Sequence, residues 1–313
     1  MAENVIDISN LKKYFAEVKA LDGINFSVKK GIIFGMLGPN GAGKTTTIET
    51  MTGLYQRDEG EISILGLDPE RSLKMLQKKM GVQLQSPSLF PRLKVVEILN
   101  LFASFYQNPL KISNVLSQIG LQNKKDSWVK KLSGGQKHRL AVGLAMISNG
   151  ELIFLDEPTT GLDPQARQDL WNVIRNLKAE GKTVFLTTHY MDEAQKLCDD
   201  LVILDKGKII ANGSPEKLIN DYFKDRVIEL EDMGLNNSFK ERIKKEVFYN
   251  RLSFEEKKGH VLLYSDQIDK TLKSLFQLAD NYERELNDVV IRKATLEDVF
   301  LKITGREYRD EAV

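Results

Sequence analysis

A glycine-rich segment that ends in Lys-Thr is the first part of the sequence that could do chemistry. It fits the pattern G-x-x-x-x-G-K-[ST] of a phosphate-binding loop, lying between an apolar run (32–37) and a helical run (45–51). Its glycines let backbone N–H groups surround phosphates, and the helix N-terminus that follows favours an anion. We predict that Lys44 reaches the terminal phosphates and that the Thr45 hydroxyl binds Mg²⁺. The candidate phosphate-binding residues are Gly38, Pro39, Asn40, Gly41, Ala42, Gly43, Lys44, Thr45 and Thr46.

Two adjacent carboxylates, Asp156 and Glu157, follow the apolar run 152–155. In open α/β sheets, ligands and catalytic groups gather at the carboxyl ends of strands. We predict that Asp156 binds Mg²⁺ and that Glu157 is the general base that polarises an attacking water. An isolated Asp-Glu pair is more often a solvated strand end, but a phosphate-binding loop upstream favours the catalytic interpretation.

A second candidate anion site precedes these carboxylates. Ser133, Gly134, Gly135 and Gln136 open a helical run, and Ser133 lies 156 − 133 = 23 positions before Asp156. Ser133 can cap the helix, while the two glycines leave its first N–H groups uncovered. His189 follows a further apolar run, 183–187, and is a candidate for a phosphate contact.

The segments around these residues predict an α/β fold. The runs 32–37, 151–155, 183–187 and 201–204 are short and nearly continuously apolar, which is typical of strands buried on both faces of a largely parallel sheet. Residues 165–178 follow Asp163-Pro164, a helix start. Lys206-Gly207 lies between two apolar runs and predicts a hairpin turn.

The pattern changes after Pro215. We predict strands at 221–233, 259–265 and 289–291 and an amphipathic helix at 270–279. Thr295 and Asp298 form a capping box for a last helix that ends near Gly305. The sequence therefore predicts two domains, a larger one at 1–220 and a small α/β accessory domain at 221–313.

Composition narrows the class of protein. The 313 residues include 45 basic and 44 acidic side chains, a net charge of +1, which argues against a general nucleic-acid binder. Cys198 is the single cysteine, so we expect a reducing compartment. The first ten residues are polar and acidic rather than signal-like, and no apolar run approaches the ~20 residues that span a bilayer, so we expect any membrane crossing to be made by another chain.

Together, and in this order, these motifs resemble the ABC ATPase family, and the resemblance covers about residues 4–220. Residues 38–45 are similar to its Walker A motif and residues 152–157 to its Walker B motif. Residues 132–136 are similar to its signature motif and residues 161–163 to its D-loop. Three single residues also match by position: Gln85 is placed like the Q-loop glutamine, His189 like the switch histidine and Tyr14 like the aromatic that stacks on adenine. The resemblance implies a P-loop ABC ATPase cassette: a mostly parallel core sheet, an antiparallel β subdomain and a helical subdomain.

The resemblance also implies a mechanism and partners. ATP and Mg²⁺ would be bound between two cassettes, with residues 133–136 of one cassette contacting the γ-phosphate held by the other, and Asp163 linking the two sites. Glu157, His189, Lys44 and Gln85 would be catalytic, and Thr45, Gln85 and Asp156 would hold the metal. One copy of each motif per chain implies a homodimer or a paired paralogous ATPase.

Family likeness further implies a separate membrane permease and a location on the cytoplasmic face of the cell membrane. Residues 86–93 would face the permease, and 89–91 with 95–105 would shape a groove for it. Several stretches, including 157–164, 187–194 and 294–301, resemble the motors of bacterial drug- and antibiotic-resistance exporters. Lys94 stands where such motors often have threonine. The tail would stabilise the dimer or regulate it.

Two other interpretations stay open: the motor of an ABC importer, and a soluble ABC ATPase that is not coupled to transport. The transported substrate cannot be named from this sequence, because in this family the substrate binds to the membrane subunits.

Overall fold

In the first part of the chain, the residues that the structure describes include nine strands in two sheets. The computed structural model describes residues 3–85, 89–223, 226–231, 237–255, 260–283, 286 and 288–304. The chain divides into two units, Met1–Pro215 and Glu216–Val313. The strands of the first unit are β1 (Asn4–Phe15), β2 (Val18–Lys29), β3 (Ile33–Leu37), β4 (Glu59–Ile64), β5 (Met80–Gln83), β6 (Leu152–Asp156), β7 (Thr183–Thr188), β8 (Asp200–Asp205) and β9 (Lys208–Gly213).

The larger sheet has the order β5-β6-β7-β3-β8-β9, and its first five strands are parallel, whereas β9 pairs with β8 antiparallel. The smaller sheet is antiparallel, with the order β2-β1-β4. Parallel strands need crossover connections, which the helices supply. These helices are α1 (Lys44–Met51), α2 (Pro69–Leu76), α3 (Val95–Ala103), α4 (Ile112–Gln118), α5 (Gly134–Met146), α6 (Pro164–Ala179) and α7 (Met191–Leu197).

The strands predicted for the central sheet are confirmed to within one or two residues. Every residue of β3, β6 and β7 is buried, as expected for strands covered on both faces. Phe26 of β2, Phe34 of β3 and Phe185 of β7 stack with ring centroids 5.6–6.0 Å apart, which joins the two sheets in one core. The predicted hairpin at Lys206-Gly207 connects β8 and β9.

Gly81 of β5 lies against the backbone of α5. A Cβ at this position would come within 1.9 Å of the Ala145 carbonyl oxygen, so the strand and the helix approach as closely as they do only because residue 81 has no side chain. We expect Gly81→Ala to lower the free energy of unfolding by about 1–3 kcal/mol, since backbone must move.

Chemical denaturation of Gly81→Ala checks this expectation. Gly134→Ala is the matched control, because a Cβ at Gly134 meets nothing within 4 Å. Its unfolding free energy should stay unchanged or rise slightly, since alanine favours the helix. Equal stability of the two variants would contradict the close approach at Gly81.

The second unit is a separate α/β body with a sheet of its own. Its four antiparallel strands have the order β11-β12-β10-β13. Two of its helices pack on this sheet through Phe239, Ile243 and Leu275. The elements are α8 (Pro215–Tyr222), β10 (Arg226–Glu231), α9 (Asn237–Glu246), β11 (Arg251–Glu255), β12 (His260–Ser265), α10 (Ile268–Asn281), β13 (Val290–Lys293) and α11 (Leu296–Thr304).

Predictions for this unit were partly right. The strand expected at 221–233 corresponds to β10, but residues 221 and 222 belong to helix α8 instead; residues 224, 225, 232 and 233 lie outside the described residues. The domain boundary expected after residue 220 falls within α8. One half of the capping box predicted for α11 is present: the Thr295 N–H donates to Asp298 Oδ2 at 2.7 Å, and the Thr295 hydroxyl donates to the same oxygen at 2.9 Å. The predicted helix end near Gly305 lies just beyond the described residues.

Among the residues described, no helix is long and apolar enough to cross a bilayer.

Candidate active site

The phosphate-binding segment forms a cradle between β3 and the N-terminus of α1. Gly43, the residue before α1, has φ 109°, and a Cβ there would lie 2.5 Å from the Ala20 carbonyl oxygen, so glycine is required. The cradle opens into a cavity of about 490 Å³. This cavity is lined by Val18, Lys19, Ala20, Asn40, Gly41, Gly43, Lys44, Thr45, Thr46, Gln85, Glu157 and Lys206.

Lys44 is the cation at the base of this cavity. Its side chain is 4% exposed, and its ammonium donates to the carbonyl oxygens of Gly38 at 2.9 Å and Pro39 at 3.1 Å. The third partner is Glu157 Oε1, at 2.9 Å. The buried charge is therefore fully paired in this state, and one of its partners is the predicted general base.

Glu157 stands in a strained position immediately after β6. Its φ is 45°, which is uncommon for a residue with a side chain, and its N–H donates to the Thr187 hydroxyl at 3.0 Å. Oε2 lies 3.0 Å from His189 Nδ1 and accepts from Gln85 Nε2 at 3.1 Å and from the Thr160 hydroxyl at 3.2 Å.

The pKa of Glu157 reflects these partners. Burial alone would raise it, but His189 and Lys44 stabilise the carboxylate and lower the pKa from 4.5 to about 2. With Lys44 paired to it, Glu157 is ionised but weakly basic.

Asp156, the last residue of β6, has the features expected of a metal ligand. It is fully buried, and Oδ1 accepts from the Thr187 hydroxyl. Oδ2 is buried without a hydrogen-bond partner among the residues that the structure describes. Burial raises the pKa of Asp156, and the Thr187 and Thr45 hydroxyls lower it. The buried, unpaired carboxylate oxygen of Asp156 fits a hard cation such as Mg²⁺, which takes one or two protein ligands together with substrate phosphates.

The strand order explains why these residues meet. β5, β6, β7 and β3 are consecutive neighbours in the sheet and parallel. Their carboxyl ends therefore place Gln85, the pair Asp156–Glu157, His189 and the phosphate cradle along one edge.

Two predicted motifs lie outside this cluster. Ser133 caps α5: its hydroxyl accepts from Gln136 N–H at 3.3 Å, and its own N–H donates to Gln136 Oε1 at 3.1 Å. Ser133 and Gly134 are exposed, and so is Asp163, which caps α6 by accepting from Ala166 N–H at 2.8 Å. Within the described ranges, none of residues 133–136 or 163 lines the cavity of the same chain.

Tyr14 also lies outside the cavity lining. It is half-buried near the end of β1, pairs with Lys19 of β2, and has the Lys19 ammonium 5.9 Å from its ring centroid. Lys19 and Val18 themselves line the cavity, so Tyr14 adjoins it through Lys19. Its stacking on adenine stays a prediction.

Six site residues were not identified as such from the sequence: Thr187, Thr160, Lys206, Val18, Lys19 and Ala20. Thr187 contacts both acidic residues from the neighbouring strand, and its place two residues before His189 was an available signal. Lys206 reaches the cavity from the β8–β9 turn, which only the tertiary fold brings near the phosphate loop.

A phosphate cradle at a helix N-terminus, with a carboxylate pair and a histidine on the adjacent strand ends, defines a P-loop nucleoside triphosphatase. The family profile described as ABC transporter matches residues 21–160. The Nod factor export ATP-binding protein I of Ralstonia nicotianae is 35% identical over 98% of this chain and 95% of that protein. The linearmycin resistance ATP-binding protein LnrL of Bacillus subtilis is 33% identical over 98% of this chain and 100% of that protein.

Solved structures agree with these relatives. The ADP conformation of MJ1267, an ATP-binding cassette of an ABC transporter, has a TM-score of 0.62 and 28% identity, covering 70% of this chain and 94% of that one. CbiO1 of Clostridium perfringens, part of an ABC transporter complex, has a TM-score of 0.64 and 26% identity over 70% of this chain and 92% of that one. The chain therefore belongs to the ATP-binding subunits of the ABC transporter family. It is an ATPase subunit that works with a membrane permease.

Proposed function

We propose that this chain is the motor of an exporter, in which two copies close around two ATP molecules and drive a separate permease. The relatives named for Nod factor export and linearmycin resistance align over nearly the whole chain, including the second unit, and this supports export of a drug, antibiotic or lipid-like compound. Motors of importers and uncoupled ABC ATPases remain the alternatives, and efflux measured with the permease distinguishes them.

The observation that carries the paired arrangement is the separation of two anion sites within one chain. Lys44, Thr45 and Glu157 line the cavity. Ser133 and Gly134, at the N-terminus of α5, are instead exposed to solvent. A helix N-terminus attracts phosphate only where phosphate can reach it. A second copy, placed head to tail, would bring its Ser133–Gln136 turn to the open side of the cavity. Asp163 would lie at the same interface.

In this arrangement each residue has a definite role. The γ-phosphate of ATP displaces Glu157 from Lys44 and takes hydrogen bonds from His189 and from the partner copy's helix N-terminus. Loss of the Lys44 contact raises the pKa of Glu157 from about 2 toward its ordinary 4.5, so the carboxylate becomes a better proton acceptor for the attacking water.

Mg²⁺ would be held by Thr45, Asp156 and Gln85 together with phosphate oxygens, and when bound it supplies neutralisation of phosphate charge. The unpaired Oδ2 of Asp156 supports the proposal that Asp156 binds Mg²⁺.

A second cavity, with apolar residues in its lining, is the proposed docking groove for the permease. It has a volume of about 580 Å³ and adjoins the nucleotide site through β5, since Val82 and Leu84 line the groove while Gln85 lines the nucleotide cavity. Leu54, Leu84 and Phe105 are 57%, 37% and 69% exposed, an apolar patch that fits an amphipathic permease segment. Phe105 belongs to the predicted run 95–105, whereas residues 89–91 do not line this cavity and residues 86–88 lie outside the described residues.

Phe105→Asp tests the groove. Because Phe105 is solvent-exposed, we expect the isolated variant to keep its fold and its ATPase rate within about twofold, but co-purification with the co-expressed permease should fall by roughly tenfold or more, as for loss of an apolar interface anchor. Phe276→Asp is the matched control, since Phe276 is 46% exposed in the second unit. If Phe105→Asp still co-purifies with the permease at the unmodified level, this groove is not the permease contact.

A further inference from the structure

A buried carboxylate that the mechanism above does not use lies between two active-site segments. Glu193 of α7 is fully buried, and its Oε1 accepts from the indole Nε1–H of Trp171 at 2.8 Å. Trp171, in α6, is itself 4% exposed. Oε2 of Glu193 is buried without a hydrogen-bond partner in the described part of the chain. A buried, incompletely satisfied acid is costly, so its retention calls for an explanation.

The position of Glu193 suggests that explanation. It lies four residues after His189, in the helix that this histidine precedes. Burial raises the pKa of the Glu193 carboxyl, and the hydroxyls of Thr188, next to His189, and Thr159, two residues after Glu157, oppose that rise. Trp171 belongs to the helix that Asp163 caps. One carboxylate in the helix that follows His189 therefore accepts a buried hydrogen bond from the helix that Asp163 caps.

Other contacts between α6 and the histidine segment reinforce this one. The Arg167 guanidinium lies 4.1 Å from the ring centroid of Tyr190, and its Nη1 is 3.8 Å from Asp192. The Lys196 ammonium lies 5.2 Å from the Trp171 ring. Arg167 and Trp171 are four residues apart, so they share the face of α6 that meets α7.

We propose that Glu193 and Trp171 are positioning residues that make α6 and the His189 segment move as one body, so that His189 and Asp163 respond together to the γ-phosphate. This inference rests on the proposed function, which gives His189 and Asp163 their roles. Helix α6 runs without a break from its N-cap Asp163 to Trp171, and the indole–carboxylate hydrogen bond is a buried link from α6 to α7. A displacement of His189 of the order of 1 Å would then shift Asp163 as well.

Trp171→Phe removes the N–H donor and keeps most of the ring. We expect kcat for ATP hydrolysis to fall by about tenfold, because a misplaced catalytic group loses rate, while KM for ATP stays within about twofold. In the His189→Ala background the same substitution should change the residual kcat by less than about twofold, because its effect passes through His189. Thermal unfolding midpoints of all variants are measured in parallel.

Two controls separate positioning from packing. Trp128→Phe changes the other of the two tryptophans, which is 39% exposed, and should have no effect in either background. Glu193→Gln keeps an acceptor for the indole and should retain most of the turnover, whereas Glu193→Leu should match Trp171→Phe.

An unchanged kcat in Trp171→Phe would overturn the inference. So would a loss of equal factor in the His189→Ala background, or a loss that follows the unfolding midpoint, since each indicates a purely structural contact. These results leave the proposed function intact. The proposed function fails separately, if the unmodified chain does not hydrolyse ATP or if His189→Ala retains full turnover.

Discussion

Glu157→Gln is expected to lower kcat for ATP hydrolysis by about 10²-fold or more, the size of a general-base contribution. ATP binding should survive, because the amide occupies the same space and releases Lys44 from its ion pair of 2.9 Å. With binding intact and hydrolysis blocked, two copies should remain closed around ATP. Light scattering of Glu157→Gln with ATP and Mg²⁺ should therefore give the mass of a dimer.

Glu61→Gln is the matched control, because Glu61 is an exposed carboxylate on β4 outside the cavity. It should hydrolyse ATP at the unmodified rate and show no trapped dimer. Unchanged turnover in Glu157→Gln would remove Glu157 from the role of base and leave the water to be activated by another group.

The second large effect is recovery of activity from two inactive chains. Lys44→Ala removes the phosphate cation, and Ser133→Arg places a long side chain in the exposed turn that caps α5. Each variant alone should lose turnover by about 10²-fold or more. If each site combines Lys44 of one copy with Ser133 of the other, a mixed dimer carries both defects in one site and none in the other.

An equimolar mixture should then recover up to about a quarter of the unmodified rate, because half of randomly paired dimers are mixed and each has one intact site. A chain carrying both substitutions, at the same total concentration, should recover nothing and serves as the control. Absence of recovery, with mixed dimers demonstrated by a tag on one variant, would contradict the shared site.

Much of the fold followed from the sequence, because burial on both faces leaves a clear apolar signal. The runs that became β3, β6, β7 and β8 were located to within one or two residues, and Asp163-Pro164 marked the start of α6. In the second unit the signal was weaker. The polar helix α9 and the strand β11 were not predicted. Helix α8 extends into residues that were assigned to a strand. Its register is set by the burial of Leu218 and of Phe223 just after it, which depends on the tertiary fold.

The residues of the candidate site also fall into two groups, those that local sequence motifs indicated and those that they did not. Local motifs indicated Lys44, Asp156 and Glu157, since strand, loop and helix signals lie beside them in the chain. Distance along the chain concealed the rest. Thr187 contacts Glu157 across 30 residues of sequence, and Trp171 contacts Glu193 across 22. Neither contact produces a periodic pattern of apolar and polar residues in the sequence. The Lys44–Glu157 ion pair is likewise visible only in the folded chain.

The short span at residues 82–85 has a consequence for how this protein can vary. Val82 and Leu84 line the groove, whereas the buried Gln83 side chain donates to the Asp156 carbonyl at 3.4 Å and Gln85 reaches Glu157. Side chains that alternate in this way exchange sides when one residue is inserted or deleted. The apolar positions could therefore diverge to suit different membrane partners, but the length of this span should be invariant, since a single added residue would turn a glutamine toward the permease and a leucine toward the nucleotide.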